Sequence, residues 1–518
     1  MSDAAPRQVN RWIVALSVMF GTFMEVLDTT VVNVSLPHIA GSLSASIDEA
    51  TWALTSYLVA NAIILPMTGW LASVLGRKRL LMTAVVGFTA ASFLCGLAPT
   101  LPALIVFRII QGATGGALQP LSQAVLLEAF PPHERGKAMG FWALGIVVAP
   151  ILGPVLGGYL TDVYSWRWVF YINIPIGMLS IIMTKMFIFD PPYLKRETER
   201  IDYWGIGLLV IGIGALQIVL DKGQQEDWFA SPFIVWFVIA SVGGLVALVI
   251  RELVAEHPIV DLQVFRERSY AVGVLLMSVV GFVLYGSMVL LPIMMQTLLG
   301  YPAVEAGIAL APRGLGSFLM MPLTGILVGK VDPRKLLAWG LTLGGATLWW
   351  LGQMNLNAGY WDLFWPQLVQ GAALSLLFVP LTTVAMANIQ RERMGNATSL
   401  FNLMRNIGGS VGIAAAGTMV ARQTQAMTAL FGANVSAMDP ETQTLFAQIR
   451  GGFMASGSDA VTATNRAYGA MFGMLQQQAS MVSFVTAFEL MAVIFIAMLP
   501  LLLLMKRPRA SAGPIAAH

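Results

Sequence analysis

Two carboxylates, Glu25 and Asp28, stand three residues apart in an otherwise apolar stretch, and one guanidinium, Arg108, stands alone in another. Three residues is close to one helical turn, so a helix places both acids on one face. Asp28 is eight residues from the outer end of its stretch and Arg108 six from the outer end of its own. At about 1.5 Å per residue the two groups share a depth. Charges inside hydrocarbon are costly unless paired or hydrated, so each is a candidate for function. The pattern reads either as proton exchange at Glu25 and Asp28 sensed by Arg108, or as a static ion pair that fixes helix packing. Other chemistry finds little support. His38, His133, His257 and His518 have no metal-ligand spacing, and the single cysteine, Cys95, cannot form an internal disulfide. There is no phosphate-binding Gly-x-x-x-x-Gly-Lys-[Ser/Thr] loop. A lipid-modifying enzyme would need a nucleophile, metal site or acid–base cluster at an interface, and none is visible.

The elements that position these charges follow from composition. Of 518 residues, 57% are apolar and 11% charged, a balance that a water-soluble core of this size could not hide. The bilayer must be the solvent. A net charge of +3 is too small to imply nucleic acid. Fourteen apolar stretches, from 12–36 to 481–505, are long enough to cross about 30 Å of hydrocarbon. The first extends past Leu36 without a cleavage site and reads as a retained span. With the N-terminus inside, 22 of the 30 basic residues fall in cytoplasmic segments, 5 fall outside, and Arg108, Arg313 and Arg405 lie within spans. That asymmetry predicts cytoplasmic N- and C-termini.

An internal echo organises the spans. Gly69 to Leu81 is answered by Gly325 to Leu337, Arg108 to Gly112 by Gln367 to Gly371, and Gly136-Lys-Ala by Gly395-Asn-Ala. The offset of about 256–259 residues relates the first six spans to the last six. The predicted fold is all-α: a six-helix bundle over 1–200, two extra linker helices over 201–269, and a second six-helix bundle over 270–518. The last includes a segment at 422–480, on the periplasmic side, too polar to span and suited to amphipathic helices. Such a repeat places a substrate site between the bundles at mid-membrane.

Local motifs concern packing. Gly69, Gly76 and Arg77 sit at the end of the second span, with Lys78 and Arg79 beside them at a helix end that favours positive charge. In the fifth span, Gly145, Ala149, Gly153 and Gly157 recur every four residues, with Gly158 next and Pro150 and Pro154 as kinks. Small residues on one face let a neighbouring backbone approach closely.

These strings carry a resemblance. The turn from Gly69 resembles the Gly-x-Leu-x-Asp-x-x-Gly-Arg-Lys loop of the major facilitator superfamily, with Ser73 at the aspartate position. The run from Gly145 to Gly158 resembles the antiporter motif of its drug exporters. Leu27 to Pro37, Arg108 to Gly112, Trp166 to Gly177, Asp202 to Gly205, Pro258 to Leu262 and Arg405 to Gly409 resemble segments of its fourteen-span drug:proton antiporters (EmrB/QacA-like). That family implies a multidrug efflux antiporter of the bacterial inner membrane, driven by the proton gradient with no cofactor. It also implies an EmrA-like periplasmic membrane-fusion adaptor and a TolC-like outer-membrane channel as partners, with 422–480 on the side where the adaptor docks. A narrow exporter of a metabolite, fatty acid or siderophore is the alternative. Hydrophobic drug-like molecules would meet candidates at Asn33 and Gln111 in the signatures, and at Tyr285, Met294, Phe401, Met404 and Arg405 in the second half. Methionine-rich walls accept varied shapes, although such residues equally serve helix packing. Arg313 and Arg405 either match functional family positions or bond helix-end carbonyls, and Glu489 in the last span has no assigned neighbour.

Overall fold

The computed structural model describes residues 10–131, 133–190, 202–255, 258–436 and 438–505; the predicted placement of the two termini falls outside them. Every regular element among these residues is helical. A backbone in hydrocarbon must satisfy its own polar groups, and a helix does so within one segment. The first half runs α1 Arg11–Ser42, α2 Ile47–Leu75, α3 Arg77–Leu97, α4 Leu101–Gly115, α5 Leu118–Ala129, α6 Arg135–Val163, α7 Trp168–Tyr171 and α8 Asn173–Phe187. Then come α9 Tyr203–Lys222 and α10 Pro232–Val254. The second half holds α11 Arg268–Thr297, α12 Ala303–Leu327, α13 Pro333–Leu351, α14 Tyr360–Ala385, α15 Met394–Asn434, α16 Pro440–Ala455 and α17 Ala460–Ala497.

Local chemistry sets the breaks. Ser46 and Glu49 form a capping box that starts α2, and Thr100 caps α4. Gly76, at φ +83°, turns the chain between α2 and α3 in a conformation that favours glycine. Among the described residues, eleven helical segments are long and apolar enough to cross a membrane. The twelfth is α6, bent by 40° between Arg135–Pro150 and Val155–Val163. Outward-facing Phe93, Ile110, Ile182, Leu319 and Trp349 are exposed, as lipid contact requires. The chain is a multi-pass membrane protein.

Within the first half α1 packs on α6 and α2 on α4; within the second, α11 packs on α15 and α12 on α14. The halves meet at the end where Arg77, Lys78, Arg79, Arg334 and Lys335 open helices and Arg391 and Arg393 stand in a turn, called here the basic end. A Cβ on Gly136 would lie 2.9 Å from the Gly325 carbonyl oxygen, and one on Gly325 2.9 Å from that of Gly136. Gly69 touches the Asn396 backbone of α15 as closely. Helix α9 is bonded to both halves. Lys222 donates to Thr51 and Asp221 accepts from Thr55 on α2, while Gln217 donates to Ser410 on α15 at 3.0 Å.

Candidate functional site: a buried charge cluster in the first half

Asp28 and Arg108 come together with no solvent contact on either side chain. Helix α1 presents Asp28 toward α4, where Arg108 donates from Nη1 to Oδ2 at 2.5 Å. Gln111, one turn on, donates to Oδ1 at 2.9 Å, and Asn173 at the start of α8 donates to the same oxygen at 2.8 Å. Arg108 is held in turn by the Ala53 carbonyl at 3.0 Å, by Gln111 Oε1 at 2.9 Å and by the Tyr57 ring, 4.1 Å from the guanidinium. These hydrogen bonds offset part of the pair's desolvation, with Arg108 Nη2 left unmatched among the described residues; removing either partner would strand the other charge.

Glu25 lies one turn away and is also buried. Its Oε1 accepts from Asn61 at 2.9 Å, whereas Oε2 has no hydrogen-bond partner among the described residues. The Gln119 side chain also acts on it by hydrogen bonding, and Arg405 of α15 and Asp28 are the charged groups that act on it. Arg405 reaches across the molecule and donates to Gln119 of α5, and Asn402 donates to Gln123 Oε1 at 2.6 Å. An acid with one open oxygen therefore sits beside polar contacts that join the two halves.

The remaining candidates are distributed differently. Gln111 belongs to the Asp28 cluster. Met294 and Phe401 are fully buried in the core, and Met404 packs partly buried against it. Tyr285 is half-buried against Gly409 of α15, and Asn33 is exposed on the C-terminal half of α1. Gly145, Gly153 and Gly157 face α1: a Cβ on Gly153 would lie 2.1 Å from Thr30 Oγ1, and one on Gly157 2.9 Å from the Val31 oxygen. Gly158, by contrast, has nothing within 4 Å of its Cβ position. Pro150 ends the first straight part of α6; the Pro154 side chain lies outside the described residues. At the basic end Ser73 bonds its own helix, to the Trp70 oxygen. Arg77 pairs instead with Glu128 of α5. Sequence reasoning missed Asn61, Gln119, Asn173 and Glu128. An inventory of amides within apolar spans would have raised the first three, because such groups must find partners.

Residues 18–413 match the family model of the Major Facilitator Superfamily. The chain belongs to the major facilitator superfamily. Its similarity runs to EmrB-like members: it is 38% identical to the multidrug export protein EmrB of Escherichia coli K12 over 440 residues, 85% of this chain and 86% of that protein. It is 43% identical to Haemophilus influenzae EmrB over 401 residues, 77% and 78% of the two chains. To the fatty acid resistance protein FarB of Neisseria gonorrhoeae it is 41% identical over 416 residues, 79% and 81%. The fold also matches the crystal structure of the human organic anion transporter MFSD10 (TETRAN), with a TM-score of 0.57 at 14% identity, covering 94% of this chain and all of that one. This EmrB-like facilitator is a transporter and not an enzyme.

In this facilitator the Arg77–Glu128 pair ties the α2–α3 turn to α5. Removing Glu128 leaves a guanidinium in a buried setting, an effect of about 3–5 kcal/mol for interior pairs. Glu128→Ala is therefore expected to lower the thermal unfolding midpoint of the purified protein by several degrees, and the Arg77→Glu, Glu128→Arg exchange to restore part of it. An unchanged midpoint in Glu128→Ala would reduce the pair to surface anchoring.

Proposed function

We propose that the chain is a proton-coupled multidrug efflux antiporter that exports hydrophobic or amphipathic toxic compounds across the bacterial inner membrane. The observation that carries this reading is the buried Asp28–Arg108 pair with Glu25 beside it, one oxygen open, next to the Arg405–Gln119 contact between the halves. Glu25 and Asp28 exchange the proton, and Arg108 and Arg405 sense the change in charge. With α13 and α15 added to the apolar set, the spans number fourteen, with both termini cytoplasmic. The contacts at the basic end then correspond to a conformation closed to the cytoplasm. Drug added to inverted vesicles containing this protein alone should discharge an imposed acid-inside gradient. A gradient indifferent to every compound tried would remove the coupling.

The same reading makes the chain the inner-membrane pump of a tripartite system with a periplasmic membrane-fusion adaptor and an outer-membrane channel. The support is the segment beyond the bundles: α15 runs 41 residues, α16 has no buried residue, and the ring of Phe446 stacks 4.6 Å from that of Tyr468 on α17. Replacing 436–458 by a short linker should leave the spans folded, since each satisfies its own backbone. Resistance in cells should be lost, while proton-coupled movement in proteoliposomes should stay within about twofold, because a tether of two helices only sets their proximity. Loss of both activities in a folded deletion would place the segment in the transport cycle.

A narrower reading is favoured by one comparison, the similarity to a protein named for fatty acid resistance. A panel of toxic compounds in a pump-deficient strain separates the two: protection against one chemical class alone supports the narrow exporter.

A further inference from the structure

We propose that Arg313, with Gln367, forms an anion site in the second half that takes the carboxylate of an amphipathic organic acid. The repeat points to the place. An offset of 259 residues relates Arg108 and Gln111 to Gln367 and Gln370, and one of 256 relates Tyr57 to Arg313. In the first half the guanidinium comes from α4 and lies against Tyr57 of α2. In the second it comes from α12 and reaches α14, where Arg313 Nε donates to Gln367 Oε1 at 2.8 Å. Both halves thus hold a guanidinium between corresponding helices.

Their counter-charges differ. Arg108 has Asp28. Helix α11, which corresponds to α1, contains no aspartate or glutamate from Arg268 to Thr297. Arg313 is 94% buried by its 6% exposure, yet neither Nη1 nor Nη2 has a hydrogen-bond partner among the described residues. No charged side chain among those residues acts on it. Gln367 Nε2, at the same place, is also unmatched. A guanidinium that bonded helix-end carbonyls would have filled these positions. Left open, its fork matches a carboxylate with two parallel hydrogen bonds, and the Gln367 amide adds a donor.

The setting selects the rest of the ligand. Around Arg313 the two helices close tightly, with Cβ positions on Gly316 and Gly371 1.9 Å from the Leu368 and Arg313 oxygens. An anion held between apolar spans is favoured when it carries its own apolar chain. Arg313 is buried in this conformation, so a ligand would reach it at another stage of alternating access. This assignment rests on the export reading for its place in transport, but the binding itself can be measured apart from it.

The test uses the full chain in nanodiscs at about pH 8, where a long-chain acid is ionised. Radiolabelled dodecanoate and its methyl ester are bound by wild type, Arg313→Gln and Arg313→Lys, with inorganic phosphate as competitor. Hydrogen bonds to a charged group imply that Arg313→Gln weakens dodecanoate binding at least about tenfold. Ester binding should be unchanged in that variant, which also shows that it is folded, and Arg313→Lys should retain part of the preference. Equal binding of acid and ester by wild type would overturn the site. So would dodecanoate binding untouched in Arg313→Gln, or ready displacement by phosphate, which would make it a site for small inorganic anions. If the binding preference holds while proteoliposomes move no compound, the export reading fails and the anion site stands.

Discussion

Asp28→Asn is expected to abolish drug-driven proton release from inverted vesicles and to destabilise the protein, whereas Glu25→Gln abolishes the release alone. The difference follows from their partners. Asp28 accepts from three donors, Arg108, Gln111 and Asn173, and balances a guanidinium that has no solvent contact. An asparagine there offers an amide hydrogen where only acceptors are wanted and leaves Arg108 uncompensated, a cost of about 3–5 kcal/mol for a broken interior pair. Glu25 accepts from Asn61, the Gln119 side chain also acts on its carboxylate, and Oε2 has no partner within hydrogen-bond distance among the described residues. Glutamine keeps the first contact and removes the exchangeable proton, so its unfolding midpoint should match wild type. Proton release measured beside thermal unfolding checks both. Full coupling in Asp28→Asn would make the pair purely structural, and full coupling in Glu25→Gln would take the proton away from Glu25.

Gly153→Ala should eliminate export by itself, without the larger leucine that the small-residue stripe alone suggests for Gly153 and Gly157. A single methyl at Gly153 would sit 2.1 Å from Thr30 Oγ1, two residues from Asp28 on the same helix. Thr30 Oγ1 already donates to the Leu27 carbonyl at 2.9 Å, so yielding to the methyl disturbs α1 where it carries the acids. Overpacking of an interior costs about 1–3 kcal/mol, enough to shift a balance between two transport conformations. Gly158→Ala is the matched control, with nothing within 4 Å, and should export normally. Equal export rates for the two variants in proteoliposomes would disprove the close-packing argument.

The contrast between those glycines shows how far a pattern reaches. The four-residue spacing marked one face of α6 as small, and that face does meet α1 at Gly153 and Gly157. Gly158 belongs to the same string but lies off the contact, which periodicity on one helix cannot tell without the position of its neighbour. At the basic end Ser73 stands at the usual acid position, and the sequence alone does not show which acid meets Arg77. The acid is Glu128, 51 residues along the chain, brought in by the packing of α5.

What the sequence determined by itself is the membrane class, the internal repeat, the two acids on one face of the first span and Arg108 at their depth. A bilayer leaves backbone few choices, and rise per residue converts position into depth. Only the tertiary structure decided which groups meet. Rotation of each helix about its axis brings Asn173 and Gln111 to Asp28 and Asn61 to Glu25. The meeting of the two halves sets Arg405 on Gln119, and the pairing of α12 with α14 leaves Arg313 with an open fork. Those rotations are set by side chains on neighbouring spans far along the chain, so no window of one span contains them.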